Sequence, residues 1–298
     1  MSALMSFRQA FPVETADQKV RRQGLGISDA LKHREVWRLD ASINVEIYPV
    51  SHSAPNILFL AGIGTYVELY AELAVALNQQ GFNVIAVDPP GHGYSAGHRG
   101  RYTVEQFQRH LSHVLDALES RFTGGWSAYG YSIGAVTAVA LAEHDRRIQA
   151  VLCTTLLLGQ EPPDMMYALG WSWTRFSALW FPNLRLPLKS FIDFESLLGD
   201  HPAGPFINDD PLIIFDYPLA TLASLFTHQA GIADTLFPFS LANLQGDQDE
   251  VLSKEYALRV AKKIKQPMHL EFIEGAGHMM PWDDPEDLAL RIALLLNK

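Results

Sequence analysis

From Asn56 onward the sequence alternates between short runs that are apolar almost throughout and longer segments whose apolar residues recur every three or four places. "NILFL" (56–60), "FNVIAV" (82–87), residues 126–130 and residues 148–155 are of the first kind, and strands of that composition need cover on both faces. "YVELYAELAVALNQQ", stopped by Gly81 in the position of a C-terminal cap, is of the second kind. So are residues 132–144 and the stretch opened by Thr103 and Gln106 as a capping box, "TVEQFQRHLSHVLDALESRF". Strands alternating with helices give an α/β fold, a mostly parallel sheet with helices on both faces. A hairpin, "EVWRLDASINVEIYPV", opens that sheet. "FSLANLQGD", "SKEYALRVAKKI" capped by Ser253, "MHLEFIEG" and "DPEDLALRIALLLNK" capped by Asp284 with Pro285 first complete it, for eight strands.

The alternation stops near residue 156 and resumes near 239. The interval is rich in proline and aromatics, with three of the six tryptophans (Trp171, Trp173, Trp180) within ten residues. The chain therefore divides into an N-terminal extension (1–34), a core made of residues 35–156 and 237–298, and an inserted, mainly helical cap or lid (157–236). With 48% apolar residues over 298 positions the core can be large. A formal net charge of -10 argues against nucleic acid, which needs a basic face. The single cysteine, Cys153 in "AVLCTTLLL", reads as an inert buried thiol. The N-terminal stretch lacks the charged and apolar blocks of a targeting signal, and no apolar run approaches the ~20 residues a membrane span needs, so a cytoplasmic protein is expected.

At the junction of the third apolar run and the helix after it stands "GYSIG", a serine between glycines. A five-letter pattern is weak by itself, but a strand-to-helix turn is where a nucleophilic serine is held, on a bend so tight that its neighbours must be small. A serine hydroxyl needs a histidine base, and the base needs a carboxylate to fix its tautomer. In this architecture they follow in the order serine, acid, histidine, each after a later strand. His278, in "EGAGHMM", lies past the final strand, in a loop made adaptable by Gly275 and Gly277. The acid is expected at Asp249 in "LQGDQDEVL", with Asp247 as a turn residue and Glu161 or Asp164 as the alternative acid. An oxyanion needs backbone donors: Ile133, directly after Ser132, and Gly62 or Ile63 from "AGIGTY", with Ile63 preferred. "AGIG" lacks the spacing of a dinucleotide loop.

These residues resemble the α/β-hydrolase superfamily, and within it the monoglyceride lipase and lysophospholipase group of serine esterases. The likeness runs over roughly residues 35–298 and rests on "LAGIGTYVELYAELAVALNQQGF", "VDPPGHGYSAGHRGRY", "GYSIG", "DPL" (210–212), "GDQDEV" and "GAGHMMPWDDPE" in order. The resemblance implies Ser132, Asp249 and His278 as catalytic triad and Ile63 and Ile133 as oxyanion hole. Relatives usually open the oxyanion loop with His-Gly; here Ala61-Gly62 stands in its place, so the part that histidine plays in holding the loop is unfilled. Pro89 likewise replaces a basic residue.

The expected activity is hydrolysis of carboxylic esters of lipophilic acyl groups, monoacylglycerol-like or lysophospholipid-like, through an acyl-enzyme. The same triad also serves amides, lactones, C–C bonds or acyl transfer, and a noncatalytic ligand-binding relative is the contrasting class. No cofactor is expected. His92, His98 and His110 have no compact metal-ligand spacing, so surface positions and no metal site are expected. Trp171, Trp173 and Phe176 are candidate substrate-lining residues and the cap a surface for transient membrane contact, although 173, 176 and 180 also fall at the spacing of a packed helix face.

Overall fold

The computed structural model describes residues 6–188, 194–199, 201 and 203–297. Nine strands form one sheet: β1 (Phe7–Ala10), β2 (Glu35–Leu39), β3 (Ile43–Tyr48), β4 (Asn56–Leu60), β5 (Asn83–Val87), β6 (Trp126–Tyr131), β7 (Ile148–Thr154), β10 (Ser240–Gly246) and β11 (Met268–Ile273). Their order is β1-β2-β3-β5-β4-β6-β7-β10-β11, antiparallel from β1 to β5 and parallel from there to β11. Eight of these are the strands expected from the sequence. The ninth, β1, comes from the segment expected as an extension: it pairs with β2, and Phe7 stacks on Trp37 at 4.9 Å. Helix α1 (Ala16–Gly24) follows and sinks Arg22 onto the buried Glu68, which ties this helix to the core.

Helices α2 (Ala71–Gln79) and α11 (Pro285–Leu296) cover one face of the sheet, and α3 (Val104–Leu118), α4 (Gly134–His144) and α9 (Lys254–Lys263) the other. β4 and β5 are buried at every position, which is why they read as unbroken apolar runs. The helix ends obey local rules. Thr103, Ser253 and Asp284 each accept a backbone N–H three residues on. Past α2, Gly81 at φ 94° lets its own N–H reach Asn78 and that of Phe82 reach Leu77.

Between β7 and β10 lie α5 (Met165–Trp180), β8 (Arg185–Pro187), α6 (Phe194–Leu198), α7 (Gly204–Ile207), β9 (Asp216–Pro218) and α8 (Leu219–Phe226). β8 and β9 pair antiparallel as a separate ribbon. α5 lies against α8, with the buried Trp171 stacked on Phe226 at 6.0 Å.

The register aligns one end of the sheet: Leu60 pairs with Gly130, Tyr131 with Thr154 and Gly246 with Ile273. The loops after β4, β6, β7, β10 and β11 therefore emerge along one edge. β5 and β6 leave β4 in opposite directions, and that reversal opens the crevice where α/β sheets place their ligands.

Candidate active site

Gly130, one residue before the end of β6, lies so close to α4 that a Cβ there would lie 2.5 Å from the Ala135 backbone, and one on Gly134 would lie 2.3 Å from the Leu60 carbonyl oxygen. Only glycine fits at either place. Between them Ser132 turns at φ 53°, a left-handed conformation that costs a side-chain-bearing residue about 1–2 kcal/mol. Its N–H donates to the Thr154 carbonyl and its own carbonyl accepts from Ala135, which fixes the bend. The result is a half-buried hydroxyl presented at the edge of the sheet.

Ser132 Oγ lies 3.1 Å from His278 Nε2, and His278 Nδ1 lies 2.9 Å from Asp249 Oδ2. A carboxylate only accepts, so Nδ1 carries the proton and Nε2 offers its lone pair to the serine hydroxyl. Asp249 is fully engaged. Its Oδ2 also accepts from the Thr155 hydroxyl at 2.8 Å and Gln245 Nε2 at 3.0 Å, and its Oδ1 from the N–H groups of Val251 and Leu252. Burial alone would raise the carboxyl, but the hydrogen bond and charge of His278, with the Leu252 and Thr155 donors, outweigh it and hold Asp249 below the usual carboxylate range.

The loops carrying acid and histidine are laced together. Gly246 approaches so near that a Cβ would meet the carbonyl oxygens of Ala276 and Gly277, at 2.3 and 2.5 Å. Asp247, a turn residue as expected, accepts from Gly275 across the two loops, and Gln248 N–H reaches the Ala276 carbonyl. The Tyr131 hydroxyl donates to the His278 carbonyl, and its ring lies 5.4 Å from the imidazole. Neither alternative acid reaches this group: Asp164 caps α5 and Glu161 faces Arg259.

Across the crevice, the loop after β4 puts Ile63 beside this edge, and the Thr65 hydroxyl braces it from within by donating to the Gly62 carbonyl. Among the described residues no protein acceptor takes the backbone N–H of Ile63 or of Ile133. Ile133 stands at the positive end of α4. A serine hydroxyl facing a histidine whose other nitrogen is held by an anchored carboxylate is the arrangement that addition to a carbonyl and expulsion of a leaving group require.

Thr155 and Gln245 were not singled out from the sequence; the signal in hindsight is a polar residue directly after one strand and another inside the next. The α5 aromatics divide. Trp171 packs inward, whereas Trp173, Phe176 and Trp180 are 51%, 66% and 72% exposed, so their helical spacing marks an outward face instead of a packed one. His92 is also unlike the surface position expected: it is 2% exposed. Burial pushes the Cys153 thiol up, in keeping with an inert group.

The family model described as serine aminopeptidase, S33 (Hydrolase_4), matches residues 51–285. A putative non-heme haloperoxidase of Mycobacterium phage D29 is 30% identical over 135 residues, 45% of this chain and 47% of that protein. The chain thus spans about half the length of the curated relative it matches. The Paleococcus ferrophilus monoacylglycerol lipase structure superposes with a TM-score of 0.65 at 24% identity, covering 84% of this chain and 98% of the other. A soluble variant of the Saccharomyces cerevisiae monoglyceride lipase, solved with a substrate analogue, superposes with a TM-score of 0.70 at 14% identity, covering 88% and 92%. These two likenesses establish a shared fold.

Proposed function

From a chain that belongs to the serine aminopeptidase S33 family of α/β-hydrolases, we infer a serine hydrolase that cleaves carboxylic esters of lipophilic acyl groups, monoacylglycerol-like or lysophospholipid-like, through an acyl-enzyme. The observation that carries it is the unbroken line from Ser132 Oγ through His278 to Asp249, at 3.1 and 2.9 Å. Ser132 Oγ attacks the ester carbonyl carbon while His278 Nε2 takes its proton, and Asp249 stabilises the imidazolium. The N–H groups of Ile63 and Ile133 stabilise the oxyanion. Collapse breaks the bond to the alcohol, which leaves with the proton from Nε2. Water then attacks the acyl-enzyme, giving a proton to His278, and the second collapse returns that proton to Ser132 and frees the acid.

A lipophilic acyl group is favoured by what flanks the reacting atoms. Ile63, Ile133, Leu156 and Val251 are apolar and join one packed cluster. The two lipases that share the fold are named for monoacylglycerol substrates, which supports the same substrate class here. Residues 157–236 are read as the cap over this edge. The exposed face of α5 (Met166, Leu169, Trp173, Phe176, Trp180) has Arg175 as its helix's one charge and is read as its contact with a lipid surface, aromatic and cationic as interfacial helices are. Among the described residues no helix is long and apolar enough to cross a membrane.

The test is a panel of p-nitrophenyl and glycerol esters of graded acyl length. Ser132-dependent hydrolysis that improves from acetyl toward longer chains is expected, with Ser132→Ala at least about 10³-fold slower. Undiminished turnover by Ser132→Ala would overturn the reading. Turnover of aminoacyl amides in preference to esters would move the substrate to the class for which the family is described.

A further inference from the structure

The loop after β4 is held from the segment between β7 and β10. Gly64, one residue past Ile63, is gripped through both of its backbone groups by the segment between β7 and β10. Its N–H donates to the Tyr217 hydroxyl at 2.9 Å, and its carbonyl accepts from the Ile214 N–H at 2.9 Å. Two residues further on, the Tyr66 hydroxyl donates to Asp210 Oδ2 at 2.7 Å, in the "DPL" stretch. Tyr217 is completely buried in β9.

The hydroxyl of Tyr217 is itself locked. His92 Nε2 lies 2.5 Å from it, and His92 Nδ1 lies 3.1 Å from the Pro90 carbonyl. A carbonyl only accepts, so Nδ1 carries the proton of the neutral ring and Nε2 accepts from Tyr217. One direction of donation remains for the whole chain: Gly64 N–H to Tyr217, Tyr217 O–H to His92, His92 N–H to Pro90. Burial, with Arg99 nearby, holds His92 down to about 4, so the chain keeps this polarity through the neutral range. Gly64 sits at φ 77°, where the loop reverses, so fixing this one residue fixes the peptide planes on either side of it.

We propose that Tyr217, oriented by His92, is a positioning residue: it sets the Gly62–Tyr66 loop so that the Ile63 N–H points at the oxyanion. The role rests on the serine-hydrolase reading above. It also ties the segment between β7 and β10 to one of the two groups that stabilise the reacting oxygen.

The experiment compares wild type with Tyr217→Phe, which keeps the ring and removes only the oxygen. Three readouts are taken: kcat and KM for a p-nitrophenyl ester, the inhibition constant of an alkyl trifluoromethyl ketone, and the melting temperature. The ketone adds to a serine and places an oxyanion in the same donors. The expected result is a kcat about 10- to 100-fold lower, as when an oxyanion donor is displaced, with KM within about threefold and ketone affinity falling in parallel with kcat/KM. Ketone affinity is what a merely structural role would leave unmoved. If Tyr217→Phe does not fold, His92→Leu, which frees the hydroxyl while leaving Tyr217 in place, carries the same expectation, and His92→Gln, which restores an acceptor, recovers most of the rate. A Tyr217→Phe enzyme with unchanged kcat, or with lowered kcat and full ketone affinity, overturns the role. A wild type without Ser132-dependent turnover overturns the serine-hydrolase reading, and the role with it.

Discussion

Replacing Asp249 by asparagine is the most discriminating single-atom change available at this site. The outcome follows from which oxygen each neighbour uses. Oδ1 accepts two backbone N–H groups, from Val251 and Leu252, whose directions the chain fixes. Oδ2 faces His278 Nδ1, the Thr155 hydroxyl and the Gln245 amide. An asparagine oxygen must take the Oδ1 place, because an NH2 there would confront two immovable donors. Its NH2 then stands at Oδ2. The Thr155 hydroxyl can rotate to accept from it, but Gln245 Nε2 is held as a donor by the Leu252 carbonyl and loses its bond to Oδ2, so the stability cost is one exchanged and one lost buried hydrogen bond, about 1–3 kcal/mol. His278 has no such freedom: its Nδ1 must become the acceptor, the proton moves to Nε2, and the base that served Ser132 is gone. The wrong tautomer is expected to lower kcat about 10⁴-fold, ~5.4 kcal/mol at 1.36 kcal/mol per decade. The assay is steady-state ester hydrolysis beside a thermal melt. A folded Asp249→Asn protein within tenfold of wild type would refute the reasoning, because some other group would then be setting the histidine.

Three further outcomes are expected. Gly134→Ala drives a methyl to within 2.3 Å of the Leu60 carbonyl oxygen and should cost about 1–3 kcal/mol in a denaturant titration, with hydrolysis falling as the elbow shifts; an unchanged midpoint would contradict the packing. Glu46 is buried beside Arg34, and burial pushes its carboxyl up to about 7. The fold therefore favours its protonated form: that contribution is full below the ordinary glutamate range and is lost as pH rises through about 7. The melting temperature of Glu46→Gln, which cannot ionise, should accordingly gain on wild type between pH 5 and pH 8, and a constant difference would count against it. Changing Trp173, Phe176 and Trp180 together to glutamine should abolish co-sedimentation with phosphatidylglycerol-containing vesicles while leaving turnover of a water-soluble ester intact; equal sedimentation would show that the α5 face meets something other than lipid.

What could be read from the sequence is what neighbouring residues decide. The caps at Thr103, Ser253 and Asp284 depend on three-residue spacings, and all three formed. The order of Ser132, Asp249 and His278 was legible because each follows a strand and the strands end along one edge. β1 was not legible, since a four-residue edge strand half open to solvent draws its stability from pairing with β2 and leaves little pattern of its own. On α5 the spacing gave a stripe but not its direction: a stripe looks the same whether it faces a core or the outside, and the structure turns Trp171 inward and Trp173 outward. The Tyr217 hydroxyl and the amide it holds are 153 residues apart, a contact that only the folded chain reveals.

The central claim is that Ser132 carries the acyl group, and trapping that intermediate tests it most directly. The protein is mixed with a p-nitrophenyl acyl ester, quenched in acid within the first turnover, digested with trypsin and examined by mass spectrometry. One acyl mass should appear on the peptide Phe122–Arg146, with fragmentation placing it on Ser132, and it should be absent from Ser132→Ala. An ester hydrolysed at full rate with no acyl group on Ser132, or with the group on another residue, would contradict the account.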